Sequence, residues 1–345
     1  MGFKTRTLVF PEPFKVAFIE ESVPEPSFGE VLVETLVTLI STGTELTAYS
    51  GSFPREKSAW ANYVRYPFRP GYCNVGRVIK VGEGVEGLAE GDVVVSRVPH
   101  TEYYVHKAAT LTKVPEGIDP KEAAFHTIAA GVMNSVRLAG VKLGESVVVV
   151  GAGLLGQMAA QFARLAGGFP VVSVDLSDYR LQLARKSGAD ITVNPQSEDV
   201  YEAVRRATKG RMADVVFEVT GNPQVLEWAI KLVKKMGRLV VLSSPRGPST
   251  IDFHDEVNFP SRVIIGTHFT SQPSCETPFY PWTWSRNTEL FLEMLKQRRI
   301  KVSHLISHVF PWSEGARVYD FLYRNRLRCM GVLLDFRAEA NNIVY

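Results

Sequence analysis

At 345 residues, 45% hydrophobic and 22% charged, the chain has the make-up of a globular protein with two domains of ordinary size. A net charge of +3, with no basic block longer than Lys234-Lys235 or Arg298-Arg299, excludes a basic-surface argument for nucleic acid or a membrane face. Cys73, Cys275 and Cys329 are scattered and show no C-x-x-C spacing, which argues against a disulfide framework and fits a reducing cytoplasm. The opening MGFKTRTLVF has no signal-like apolar core, and no run approaches the roughly 20 apolar residues of a bilayer span, so the expectation is a cytoplasmic protein.

The first 110 or so residues read as strands. Thr5 to Phe10, Lys15 to Glu20, Glu30 to Ile40, Gly76 to Gly82 and Gly91 to Val95 are β-type runs separated by Pro/Gly punctuation, the spacing of a small, partly closed barrel. Pro115 to Ala139 reads as helix, with Asp119 as N-cap and Pro120 in the first turn. From Ser146 the pattern becomes alternating strand and helix. Strands are predicted at Val147–Val150, Pro170–Val174, Ile191–Val193, Asp214–Glu218, Arg238–Leu242 and Arg262–Thr267, with helices over Leu155–Leu165, Arg180–Ser187, Val200–Thr208 and Gln224–Val233. Such alternation is the signature of a doubly wound parallel sheet. A helix over Asn287–Gln297 and a last strand over Met330–Phe336 close the chain.

Within that alternation, Ser146 to Asp175 carries the sharpest signal. Four valines, Val147 to Val150, run into Gly151-Ala152-Gly153-Leu154-Leu155-Gly156, which fits G-x-G-x-x-G; a helix follows, and the next strand ends at Asp175, nineteen residues after Gly156. In a dinucleotide site Gly151 makes the tight turn, Gly153 admits the pyrophosphate and Gly156 packs helix on strand. The helix N-terminus favours the phosphates, and Asp175 accepts from the adenosine ribose hydroxyls while repelling a 2′-phosphate. The expected cofactor is NAD.

These pieces resemble the medium-chain dehydrogenase/reductase superfamily, which includes the zinc alcohol dehydrogenases. The likeness covers nearly the whole chain in order: Pro26 to Val33, Pro70-Gly71, Gly76-Arg77-Val78, Gly91-Asp92-Val93, Ala139 to Glu145, the glycine turn and Asp214 to Gly221. It implies a Rossmann domain at 128–270 joined to a GroES-like catalytic domain at 1–127 and 271–345, and a homodimer formed through the strand Arg262 to Thr267. It also implies Gly151, Gly153, Leu154, Leu155, Gly156, Asp175, Arg180 and Thr220 as cofactor-binding residues.

Against that family the metal ligands are missing. The first, a Cys, is matched by Thr42 in Ile40-Ser41-Thr42-Gly43-Thr44-Glu45; the second, a His, is matched by Tyr72; the third falls near His126 or Thr127. The lobe that holds a structural zinc is reduced to Ser96–Glu102. Two hydroxyl side chains do not make a zinc site, so the resemblance implies a zinc-independent member with no metal. Ile40 to Glu45 and Pro70 to Ile79 also resemble the branch containing bacteriochlorophyllide dehydrogenase.

Alcohol oxidation then needs a proton path made of side chains. The candidates are Ser41, Thr42, Thr44, Glu45, Tyr72, His126 and Thr127, with Thr44 at the family's hydroxyl relay position and Thr47 in place of a relay His. Glu45 either serves the reaction or caps the helix Leu46 to Ser50. Tyr72 and His126 are polarising and titrating groups or ordinary packed side chains. His100, Trp282 and Trp284 are candidates for the substrate pocket; the aromatic stretch Ser271 to Asn287 is otherwise a subunit contact or a local plug. The expected function is hydride transfer between a secondary alcohol (of a sugar, polyol or similarly hydroxylated small molecule) and NAD, without zinc. The alternatives are a reductase of an activated C=C bond or quinone, and a non-catalytic NAD(H) sensor.

Overall fold

A computed structural model describes residues 3–54, 56 and 58–338. The chain opens with β1 (Phe3–Val9), β2 (Ala17–Val23), β3 (Glu30–Ile40), α1 (Thr44–Ser50), α2 (Ala59–Tyr63), β4 (Asn74–Val81), β5 (Val93–Ser96), β6 (Tyr103–Lys107) and β7 (Thr112–Lys113). Two helices, α3 (Pro120–Ala123) and α4 (His126–Ala139), lead into β8 (Val147–Val150), α5 (Leu154–Leu165), β9 (Val171–Val174), α6 (Asp178–Lys186), β10 (Ile191–Val193), α7 (Val200–Ala207), β11 (Ala213–Glu218), α8 (Pro223–Ala229), β12 (Val233–Val241) and β13 (Val263–Gly266). The chain ends with α9 (Trp284–Lys296), β14 (Ile306–Pro311), α10 (Gly315–Arg324) and β15 (Gly331–Asp335). It divides into two compact units, at Thr127/Ile128 and again at Asn287/Thr288. Residues 271–287 therefore belong with the second unit, whereas the sequence reading returned the chain to the first unit at 271. No helix among the described residues is long and apolar enough to cross a membrane.

The first unit is organised on β3, the longest strand at 11 residues. Val31 to Thr38 pair with β4, the first half of the strand also pairs with β6 and its last four residues with β15, all antiparallel. The sheet runs β14-β15-β3-β4-β5-β7, and register shifts in the β3–β4 ladder bend it into the expected partly closed form. Apolar residues on almost every position of β3 reflect burial on both faces: Val31 to Val33 and Val37, Leu39 and Ile40 have no exposed surface. The expected single helix over Pro115–Ala139 is two. Asp119 does cap α3, accepting from the Lys121 N–H, but the first helix stops at Ala123 and α4 starts at His126.

The second unit is an α/β doubly wound fold, with six parallel strands in the order β10-β9-β8-β11-β12-β13. The order reverses between β8 and β11, and ligands of such sheets lie outside the carboxyl ends of the strands at that point. The valine run of β8 is central and at most 2% exposed, because neighbouring strands take its edges and helices its faces. The helix expected to reach Val233 ends at Ala229, and Val233 instead opens β12.

Candidate active site

In the second unit the glycine turn leaves β8 where the sheet order reverses. Gly151 holds φ +104°, and a Cβ on Gly156 would lie 1.9 Å from the Gly151 carbonyl oxygen, so α5 reaches β8 this closely only with glycine there. Above Gly153 the space is open: the only atom within 4 Å of a Cβ built there is Arg180 Nη1, at 3.9 Å. Gly153 is also the N-cap of α5 and has no side chain to take the first-turn N–H groups of Leu154, Leu155 and Gly156. Free N–H groups at a positive helix end, an open backbone and an adjacent guanidinium fit a pyrophosphate. Asp175 follows β9; its Oδ2 accepts the Ala152 N–H at 2.7 Å and its Oδ1 the Ser177 N–H at 2.9 Å, with Arg180 Nη1 4.0 Å away. Each carboxylate oxygen keeps a lone pair for a ribose hydroxyl. Thr220 packs its methyl against Gly151 and gives its N–H to the buried Glu218, at 2.6 Å. Sequence reasoning missed Gln157, whose amide ties Ala152 O to Arg180 O at 2.8 and 3.0 Å; a glutamine inside an alanine-rich helix was its only signal.

The first unit brings three hydroxyls together. The Tyr72 hydroxyl bonds Ser41 Oγ and lies 3.2 Å from Thr44 Oγ1. Burial drives the Tyr72 phenol far above its ordinary range, so it carries its proton at physiological pH. Thr42 is half-buried in the turn between β3 and α1, beside this cluster in sequence. Thr127 Oγ1 donates to the Tyr72 carbonyl at 2.6 Å, fixing the backbone that carries the phenol.

Glu45 lies behind the cluster and is only 1% exposed. Oε1 accepts the Ser41 N–H at 2.7 Å, while Oε2 takes the Tyr319 hydroxyl at 2.6 Å and faces His100 Nε2 at 3.0 Å. Glu45 does not cap α1, whose N-cap Gly43 has no side-chain partner; it reaches back past the helix start to Ser41, the residue that bonds Tyr72. His100 is corrected. It has no exposed surface and both its ring nitrogens are engaged, Nδ1 with Thr38 Oγ1 at 2.7 Å, so it does not line a pocket. His126 is buried as well, with its ring 3.3 Å from Thr127 Oγ1 and bonded to the backbone of Ser96 and Asn74. Burial pushes its pKa down to about 3, so the imidazole is neutral. Thr47 gives its hydroxyl to Gly43 O within α1 and is spent there.

The two candidate tryptophans are both packed within the second unit. Trp282 packs against two cations in the second unit, with Arg137 Cζ 3.6 Å and Arg286 Cζ 4.5 Å from its ring centre, and Trp284 meets Phe269 edge-on at 5.8 Å. Arg137 is in the last turn of α4 and also donates to Asn287 Oδ1. A guanidinium on the ring face is a cation–π contact, so Trp282 is held by charge as well as by apolar packing.

The family metal would draw on Thr42, Tyr72 and His126 or Thr127. Three of these are hydroxyls, one of them a phenol that burial keeps protonated, and the imidazole is turned to backbone groups. Zinc takes thiolate, imidazole and carboxylate donors, so this set does not fit it. Among the described residues, no group of three His, Cys, Asp or Glu side chains is placed to hold a metal.

A family model for zinc-binding dehydrogenases matches residues 155–284. The L-threonine 3-dehydrogenase of Pyrococcus horikoshii is 33% identical over 280 residues, covering 72% of this chain and 78% of that protein. The chain belongs to the zinc-binding, alcohol dehydrogenase-like family. A second family relative, the D-guloside 3-dehydrogenase of Escherichia coli K12, is 31% identical over 258 residues, 73% of each chain. Among solved structures, an Escherichia coli oxidoreductase/dehydrogenase of unknown specificity superposes with a TM-score of 0.83 over 96% of this chain and 99% of that one, at 21% identity. That likeness carries the family fold.

Proposed function

We propose that the protein is an NAD-dependent dehydrogenase of secondary alcohols that works without zinc, on a sugar, polyol or similarly hydroxylated small molecule. The observation that carries the reading is the pairing of an intact dinucleotide turn with a hydroxyl cluster, Ser41–Tyr72–Thr44, at the family's metal position. Two relatives named for reaction at carbon 3 of threonine and of a guloside support a secondary carbinol as substrate. Asp175 supports NAD over NADP, since a 2′-phosphate would face its carboxylate.

Gly151 to Gly156 and Arg180 would hold the pyrophosphate, and Asp175 the ribose. The nicotinamide, when bound, supplies the hydride acceptor. Tyr72 takes the substrate hydroxyl proton as it passes its own to Thr44, and half-buried Thr44 passes its hydroxyl proton on to solvent. In the reverse direction the protonated phenol donates to the carbonyl oxygen. Glu45 orients Ser41, and through it Tyr72. We also propose a cytoplasmic homodimer that pairs the free edge strand β13, whose Val263 is 51% exposed. The test is NADH formation over a panel of sugars, polyols and amino alcohols, with an enone as control. Turnover on an alcohol supports the reading; turnover only of the enone with NADPH contradicts it.

A further inference from the structure

Two loops meet at the carboxyl ends of β11 and β12, the first carrying Thr220 and the second lying outside the residues assigned to the nucleotide from sequence. Arg246 lies on the second, five residues after the end of β12, and its backbone N–H donates to the Gly221 carbonyl at 3.2 Å. Gly221 holds φ +71°, and a Cβ there would sit 2.9 Å from Arg246 Nη1. The guanidinium therefore lies in the space a side chain at 221 would fill. Gly151, Thr220, Gly221 and Arg246 form a continuous row, because the Thr220 methyl is itself 2.9 Å from a Cβ built on Gly151. This row crosses the ends of β8, β11 and β12, on the edge where the sheet order reverses.

The cation has no fixed anion. Glu218 is the acid close enough to act on it, but the Glu218 oxygens are engaged by the N–H and hydroxyl of Thr220 and by the Ser243 hydroxyl. Among the described residues none accepts a hydrogen bond from the Arg246 guanidinium, which is half-buried. A partly desolvated guanidinium is costly unless something takes its planar fork of donors, and a phosphate matches that fork.

We propose that Arg246 binds the pyrophosphate of the dinucleotide, from the side of the groove opposite Arg180 in strand order. The inference rests on the nucleotide reading above and adds a contact outside its motif. It also gives Gly221 a reason to be glycine: any side chain there displaces the guanidinium.

The test is equilibrium titration of the full chain with NADH, with ADP-ribose and adenosine as competitors, for the wild type, Arg246→Gln and Arg246→Lys. Arg246→Gln is expected to weaken NADH and ADP-ribose by about tenfold, the loss of a charge-assisted contact. Adenosine, which lacks phosphate, should be unaffected, and Arg246→Lys should fall between the two. NADH affinity within twofold of the wild type in Arg246→Gln, or an equal loss for adenosine, overturns the proposal. A wild type that binds neither NADH nor ADP-ribose overturns the nucleotide reading itself. Matching thermal unfolding of the three proteins shows that any loss is local.

Discussion

The Ala152 N–H donates to Asp175 Oδ2 across 2.7 Å, so the acid that ends β9 also closes the glycine turn that ends β8. On the proposed reading, cofactor preference and turn geometry depend on one carboxylate. Asp175→Ala removes the ribose acceptor and releases the turn together. NADH affinity should fall at least tenfold, since hydrogen bonds to a charged group are worth about 1.5–3 kcal/mol, and the preference for NADH over NADPH should collapse. Paired fluorescence titrations with the two cofactors measure both. An unchanged preference would mean that Asp175 does not face the ribose.

Tyr72→Phe deletes the hydroxyl shared by Ser41 and Thr44 and keeps the ring. Loss of a proton-transfer group costs on the order of a hundredfold or more in kcat. NADH affinity should stay as it was, because the nucleotide residues are in the other unit. Steady-state kinetics beside a binding titration separate the two effects. Wild-type kcat in this variant would remove Tyr72 from the proton path.

Glu45 is held by Ser41, Tyr319 and His100 with almost no exposure. Glu45→Ala strands several buried donors at once, each at roughly 1–3 kcal/mol. Urea unfolding should show a loss of about 3 kcal/mol or more, and Tyr319→Phe a smaller one. A destabilisation under 1 kcal/mol would mean that the network contributes little.

His126 gives a signed pH dependence. Its folded pKa is lowered to about 3, below the 6.5 of an unperturbed His, so the unfolded chain binds the proton more readily. Between those values stability falls as pH falls, by about 1.4 kcal/mol per pH unit from this group. Above pH 6.5 the contribution is complete. Urea unfolding at several pH values should show this slope, and His126→Gln should flatten it. Equal slopes in the two proteins would show that the ring is solvated when folded.

Val263→Asp places a charge on the free edge of the parallel sheet. If two chains pair through β13, scattering should show the wild type as a dimer and the variant as a monomer, with both folded. A monomeric wild type would remove the dimer proposal.

The legible parts of this protein were those built from local pattern. Glu30–Ile40 was read to the residue because an apolar strand between Gly29 and Ser41 has nowhere else to go, and the β8 valines with their glycine turn pointed to the parallel sheet. The hydroxyl cluster was legible as a set, since Ser41, Thr44 and Tyr72 were all candidates. Roles that depend on what a side chain meets across the chain were not. The family resemblance put the His100 loop near the cleft, yet the ring is buried and bonded to Glu45 and Thr38, 55 and 62 residues away. The contact of Trp282 with Arg137, far back in sequence, was likewise not legible. Arg246 sits in no motif; only the left-handed Gly221 beside it marks its place.

The central claim is that hydride transfer here needs nicotinamide and hydroxyl side chains, and no zinc. It is tested most directly by measuring the metal content and NADH formation of one preparation, before and after exhaustive chelation, on an alcohol it oxidises. The account predicts less than one zinc per ten chains and an unchanged rate. Activity abolished by chelation and restored by added zinc would contradict it.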